Sequence, residues 1–422
     1  MNLPLLRPLG QIETAMAGLH EQAGTTQTSS LLSLDGPLDA ALLRAAAALL
    51  WQRHPLLQAS IQEDGEGLYY AHNARLDDLP IRSLTLPDIG DTLAQLEQEL
   101  NCPLDPSRGL WKLALLSEPG QHQHHLLLTC HHAIVDALSL TLLLGELLQF
   151  CQALLHGSAT PPDLSTLAPA LEHFLGAPGP APLPSHLPAP AYQQRVPLEQ
   201  RRTRVQVLSL ATPQLQRLQR EARAAGLSLN ALLGGALLQA CEAIGLGQQI
   251  RLNSAISLRQ RAAQPIANDQ LGCYIGVVGC DLQVDGRSLL ALALDYQRQL
   301  QLALQRADRA NPGVSLMQVR QRCAQLVQAE AFVQGIALTN HGRIELPETP
   351  AFVLHDYLNV ACRSAGNFAV AVHATTFAER LNLSFTYVTP LIETARIVAL
   401  SEHLQHCLLT FGARQEELCH AH

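Results

Sequence analysis

The chain has 422 residues and a mass of 45.7 kDa, too much for one small core, so two lobes of about 200 residues are expected. With 47% hydrophobic and only 15% charged residues, the composition excludes a disordered chain and predicts an ordinary globular protein. A net charge of −8 and a pI near 6.1, with no Lys/Arg cluster long enough to neutralise several phosphates, argue against nucleic acid as a partner.

In chain order, Ser30 to Leu34 reads as a short strand closed by Asp35-Gly36-Pro37. A helix follows, with Leu38, Leu42, Leu43, Ala46, Leu49 and Leu50 at helical spacing, and ends at Arg53-His54-Pro55, because proline disfavours a helical conformation for His54. Strands are predicted at Leu56 to Ile61 and Leu68 to Tyr70, a helix from Asp91 to Leu100, and a buried strand over Leu110 to Leu116 that turns at Pro119-Gly120. The next apolar run, Leu126 to Cys130, continues into His131-His132-Ala133-Ile134-Val135-Asp136 and then a helix from Ala137 to Phe150, with Leu138, Leu142, Gly145 and Leu148 or Gln149 at helical spacing.

Between Gly157 and Pro197, proline and small residues dominate, which predicts exposed, extended backbone that packs no core. The expected division is a lobe over 1–175, a linker over 176–200 and a lobe over 201–422. The basic stretch Arg201-Arg202-Thr203-Arg204 reads as a solvated strand start. The second half then predicts strand Val205 to Leu210, helix Pro213 to Ala225, and a helix capped by Ser228 that runs to Ile244. Strands are expected at Ile250 to Leu258 and Leu271 to Val278, and long helices near Ser288 to Ala307 and Ser315 to Ala329. Strands at Phe368 to His373 and Leu381 to Tyr387 precede a last helix from Leu391 to about Thr410. The two halves repeat crudely in element order, and the fold class is α+β.

Ten cysteines occur with no C-x-x-C pair, which excludes a zinc knuckle or redox motif and predicts reduced, buried thiols. The N-terminus lacks a basic segment followed by an apolar one, and no stretch reaches about 18 uninterrupted apolar residues. A cytoplasmic monomer without a membrane span is expected.

The chemistry concentrates in His131 to Asp136, a strand-to-helix turn. An imidazole near neutrality can take a proton from an alcohol or amine as that group attacks a carbonyl, and His132 is the candidate base. His131, the preceding strand residue, faces the other way and reads as structural. Asp136 reads as a helix N-cap or as half of an ion pair; spacing does not choose. Cys130 is disfavoured as a nucleophile because it alternates with its neighbours. A zinc site from His122, His124, His132 and Asp136 is disfavoured because the early histidines lie some eight residues, or about 26 Å, along the strand.

The segment His131-His132-Ala133-Ile134-Val135-Asp136 resembles the His-His-x-x-x-Asp signature of the chloramphenicol-acetyltransferase-like superfamily. That group includes peptide-synthetase condensation domains, plant alcohol acyltransferases and polyketide-associated acyltransferases. Leu49 to Leu57 is similar to an early helix end of the family, Pro103-Leu104-Asp105 through Trp111 to the segment before the motif strand, and Leu227 to Ala231 to a helix start. Ile256-Ser257-Leu258-Arg259 and Leu338-Thr339-Asn340-His341-Gly342 match later elements in the same order. Two departures stand out: Ala137 replaces the usual glycine, and no Asp-Phe-Gly-Trp-Gly element occurs, which favours the polyketide-associated and condensation-like branches.

The resemblance implies two lobes of similar fold with an active-site tunnel between them. It implies an acyl thioester donor, coenzyme A or a phosphopantetheinyl carrier protein, and no bound cofactor or metal. His132 would be the base, and Asp136 would pair across the lobes with Arg259, or failing that Arg261. Backbone N–H groups of the turn, with Thr339 or Asn340, would hold the oxyanion. The expected reaction is ester formation on a hydroxyl by a free-standing acyltransferase in secondary metabolite or lipid biosynthesis. Amide formation on an amine, a catalytically idle carrier-protein recruitment module and a zinc hydrolase are the alternatives.

Overall fold

The computed structural model describes residues 5–73, 79–86, 92–118, 122–177, 185–305, 309 and 313–412. Asp91, the Pro119-Gly120 turn and the prolines of 178–184 fall outside them. The first half runs β1 (Leu5–Pro8), α1 (Gln11–Ala23), β2 (Gln27–Asp35), α2 (Ala40–Arg53), β3 (Ala59–Glu63), β4 (Leu68–His72), β5 (Ile81–Thr85), α3 (Thr92–Leu100), β6 (Trp111–Ser117), β7 (Gln123–His131) and α4 (Ala137–Leu155). The second half runs β8 (Arg202–Leu210), α5 (Thr212–Ala224), α6 (Leu229–Ala243), β9 (Gln249–Ser257), β10 (Ile275–Gln283), α7 (Leu289–Leu304), α8 (Leu316–Gln328), β11 (Ile336–Arg343), β12 (Val353–Ala361), β13 (Ala371–Phe377), β14 (Arg380–Thr389) and α9 (Thr394–Thr410). The α+β class is as expected.

The helix starts follow local chemistry. The Asp39 carboxylate accepts from Leu42 N at 2.8 Å to open α2, and the Ser228 hydroxyl accepts from Ala231 N at 3.1 Å to open α6. At the far end of α2, His54 is buried and its ring meets Glu146 of α4, so the helix end before Pro55 is also a packing contact. In α4 the buried face is Ser139, Leu140, Leu143, Leu144, Gly145, Leu147, Leu148 and Cys151, so Gly145 and Leu148 of the expected stripe are buried, Leu142 is half-buried and Leu138 is exposed. This helix has the length and composition of a membrane span, yet that face packs against α2 in the first-lobe core.

Several elements differ from expectation. Pro55–Gln58 is a 3-10 turn, so the strand after it starts only at Ala59. Residues 271–274 precede β10, which starts only at Ile275. The Pro-rich segment does pack: Ala168, Leu171 and Phe174 form a small core with Leu258, Ile266 and Tyr274. Arg201 is buried, its Nη1 donating to Ala365 O at 2.8 Å, and is no part of a solvated strand start.

Three sheets carry the fold, in the orders β1-β4-β3, β12-β2-β7-β6-β5 and β10-β9-β11-β13-β14-β8. The position of β12 matters most. It comes from the second half of the chain but pairs antiparallel with β2 from Val353↔Asp35 to Ala361↔Thr28, as an edge strand of the first-half sheet. That crossover brings the segment after β12 alongside Thr25–Gln27, at the mouth of the turn that follows β7.

Candidate active site

The turn from β7 to α4 is held by its own side chains and by its neighbours. Tyr70, fully buried on β4, donates to Ala133 O at 2.9 Å. Ala133 N donates to His131 Nδ1 at 3.1 Å, Ile134 N to His131 O at 3.1 Å, and His132 N to Thr26 O at 2.8 Å. These three amides are therefore already engaged, and they are not open to an oxyanion in the way the sequence led us to expect.

His132 Nδ1 lies 2.8 Å from Val135 O. A carbonyl only accepts, so Nδ1 carries the proton and Nε2 presents its lone pair. Nε2 has no hydrogen-bond partner among the described residues and is not among the sealed polar atoms; the residue is half-buried. Burial pulls the proton affinity of the ring below the ordinary histidine value, and the nearby charge of Arg363 acts in the same direction.

His131 has the opposite environment. It is 0% exposed, its Nε2 is sealed without a partner, and its ring centroid is 4.6 Å from that of His20. Burial holds it well below the ordinary histidine range, so it stays neutral.

The Asp136 carboxylate both caps and pairs. Oδ1 accepts from Ser139 N at 2.8 Å at the start of α4, while Arg259 donates from Nε to Oδ2 and from Nη2 to Oδ1, each at 3.0 Å. Arg259, just beyond β9, is 0% exposed and also donates from Nη2 to Ser139 Oγ at 2.9 Å and from Nη1 to Ala267 O at 2.8 Å, with its guanidinium 4.8 Å from the Tyr274 ring. Arg261 is exposed. The pair joins the two halves of the chain directly behind His132.

Strand alternation separates Thr339 from Asn340. Thr339 is opposite His373 on β13, so both side chains lie on one face of the sheet, whereas Asn340 is opposite Ala374, whose side chain belongs to the second-lobe core. Asn340 Oδ1 accepts from Gly342 N at 2.9 Å.

Four neighbours of His132 carried no functional signal in the sequence. Cys273 Sγ is 3.7 Å from His132 Nδ1; burial pushes its thiol well up, as it does that of Cys130, so neither is a thiolate nucleophile at neutral pH. His341 and His373 stack with centroids 5.6 Å apart and 11° between planes; both feel the charge of His132, and His132 feels that of Arg363. Only tertiary pairing of β11, β13 and β12 brings them there. No group of three or more metal-ligating side chains occurs among the described residues; Asp136 is committed to Arg259, and His124 bonds to Ser117 near the other end of β7.

Comparison with known proteins places this geometry. Residues 16–166 match the condensation-domain family, and residues 199–386 match the C-terminus of phthiocerol/phthiodiolone dimycocerosyl transferase. Cyclosporin synthetase of Tolypocladium inflatum is 35% identical over 128 residues, 30% of this chain and 1% of that protein. The PF 1022-synthetase of a Rosellinia species is 32% identical over 141 residues, 33% of this chain and 4% of that protein. The chain thus spans only a small fraction of these relatives. Among solved structures, the first condensation domain of the CDA synthetase superposes with a TM-score of 0.70 at 18% identity, covering 96% of both chains. Polyketide synthase associated protein 5 from Mycobacterium tuberculosis gives 0.68 at 17% identity, covering 97% of this chain and 98% of that one. Trichothecene 15-O-acetyltransferase from Fusarium sporotrichioides gives 0.73 at 12% identity, covering 96% and 95%. At such identities these superpositions speak for the fold. With a condensation-domain first half and a dimycocerosyl-transferase-type second half on one two-lobed frame, the chain belongs to the condensation-domain and polyketide-associated acyltransferase family of the chloramphenicol-acetyltransferase-like superfamily.

Proposed function

We propose that the protein transfers an acyl group from a phosphopantetheine thioester, on coenzyme A or a carrier protein, to a hydroxyl group. The observation that carries this reading is the tautomer of His132: Nδ1–H is spent on Val135 O, which leaves Nε2 as a free base on a half-buried ring. Nε2 takes the hydroxyl proton as the oxygen attacks the thioester carbonyl. The tetrahedral intermediate then expels the thiolate, which recovers that proton from the imidazolium, so an ester and a thiol leave and the base is restored. Asp136 and Arg259 position the turn and transfer no proton. Thr339, on the same face as His373, is a better donor to the oxyanion than Asn340. The two reactants reach His132 along a tunnel between the lobes. No disulfide joins two cysteines among the described residues, which supports a reducing compartment such as the cytoplasm.

The condensation-domain match over residues 16–166 supports a second reading, amide formation on an amine acceptor. Thiol release from acyl-CoA and from an acylated carrier protein, with matched alcohol and amine acceptors, separates the two. Ester as the dominant product supports the proposal; amide as the dominant product replaces it. Carrier-protein binding with no transfer to either acceptor points to a recruitment module.

A further inference from the structure

Among the described residues, Arg363 is a positive charge without a counter-charge. The loop that carries it is pinned beside the site: Cys362 N donates to Gln27 O at 2.9 Å, Thr25 Oγ1 donates to Cys362 O at 2.9 Å, and Ser364 Oγ donates to Ala23 O at 2.8 Å. Thr26, in the middle of the same segment, accepts from His132 N. Guanidinium and imidazole are therefore suspended from adjacent points of one short stretch.

A guanidinium offers five N–H donors. In Arg363, Nε is sealed from solvent and bonds to nothing, Nη2 reaches only His373 Nε2 at 3.4 Å, and no carboxylate among the described residues pairs with it. Behind it, His373 Nδ1 meets His341 Nε2 at 3.3 Å, and the Phe368 ring lies 5.5 Å from the guanidinium carbon. The contrast with Arg259 is direct, since every terminal nitrogen of that side chain has a partner. An enclosed cation left unmatched is strongly unfavourable unless an anion arrives to match it.

We propose that Arg363, backed by His373 and His341, binds a carboxylate at the reacting end of one of the two substrates and so selects an acidic acyl group or an acidic acceptor. The planar fork suits a carboxylate, which it can hold with two parallel hydrogen bonds. Burial keeps His373 neutral and takes His341 down to about 4, so the imidazoles add donors and acceptors but no second charge. One cation balances one carboxylate. A phosphate of the pantetheine arm is a poor fit, because that group lies at the other end of a long arm from the thioester, whereas Arg363 is close enough to influence His132. The identity of the two substrates rests on the acyl-transfer reading; the anion site does not.

Calorimetric titration tests this with two matched pairs, succinyl-CoA against butyryl-CoA and 3-hydroxybutyrate against 2-butanol. Within one pair the acid binds about tenfold or more tightly than its neutral partner, as a charged hydrogen-bonded contact requires. In Arg363→Gln that ratio falls toward one, and in Arg363→Lys, which keeps the charge, part of it returns; circular dichroism reports whether each variant is folded. The pair that shows the preference identifies the substrate that carries the carboxylate. Equal or absent binding of acid and neutral members in both pairs overturns the site, and so does a preference that survives in folded Arg363→Gln. An acid preference in a protein that transfers no acyl group upholds the site and refutes the acyl-transfer reading.

Discussion

Arg259 and Asp136 meet through two hydrogen bonds of 3.0 Å, one to each carboxylate oxygen, across the boundary between the halves of the chain. Both side chains are almost wholly buried, so removing one partner leaves the other charge stranded. Asp136→Ala is expected to lower unfolding stability by about 3–5 kcal/mol in chemical denaturation, of which about 1 kcal/mol is the lost helix cap. Arg259→Met, which strands the carboxylate, should cost a similar amount. An unchanged denaturation midpoint in both variants would show that the pair contributes nothing to joining the lobes.

His132→Ala removes the base and leaves the turn's backbone bonds to Thr26, His131 and Tyr70 in place. Turnover should drop about a hundredfold or more with the melting temperature little changed. Steady-state thiol release beside a thermal melt checks both halves of that statement, and undiminished turnover removes the role assigned to the imidazole.

The acid limb of the activity profile follows from the environment of His132. Burial and the charge of Arg363 lower its proton affinity, so the free-base form persists below the usual histidine value of 6.5. The limb of kcat/KM should therefore lie below that value and move up in Arg363→Gln. A limb at or above 6.5 in the wild type contradicts the environment described.

Stability should also depend on pH through the neutral, buried histidines. His131, His341 and His373 all bind protons less readily when folded than when unfolded, so the unfolded chain takes up protons first as the pH falls. Their contribution is complete above about 6.5 and is lost as pH falls from there toward about 4, the value for His341. Denaturation midpoints measured across that window should decline, and less steeply in His341→Gln.

Gly234 lies where α6 crosses α7, and a Cβ there would stand 2.3 Å from Tyr296 Cε1. Alanine in mid-helix ordinarily adds about 0.5–1 kcal/mol, but at this crossing the clash should win and Gly234→Ala should destabilise by about 1–3 kcal/mol. Gain of stability on this substitution would mean that Tyr296 can move aside.

What the amino-acid sequence decides about this protein is local. Apolar periodicity located most helices and strands, because burial of one face is written in neighbouring residues: Leu43, Ala46 and Leu50 along α2, Ser228 opening α6, and the apolar run of β7 ending in two histidines. Alternation alone separates sealed His131 from accessible His132. The motif likewise offered two roles for Asp136, and the folded carboxylate fills both. Periodicity erred where a short apolar run had no partner to declare it, as at Leu56-Leu57, which turns, and at 353–361, where no strand was read and β12 lies. Only the tertiary structure decides what stands around His132. β12 leaves its own half to pair with β2, carrying Arg363 beside Thr26, while the pairing of β11 with β13 sets His341 against His373. These residues are more than 200 positions from the motif, and their chemistry comes from a shared, water-poor space that no stretch of the chain encloses by itself.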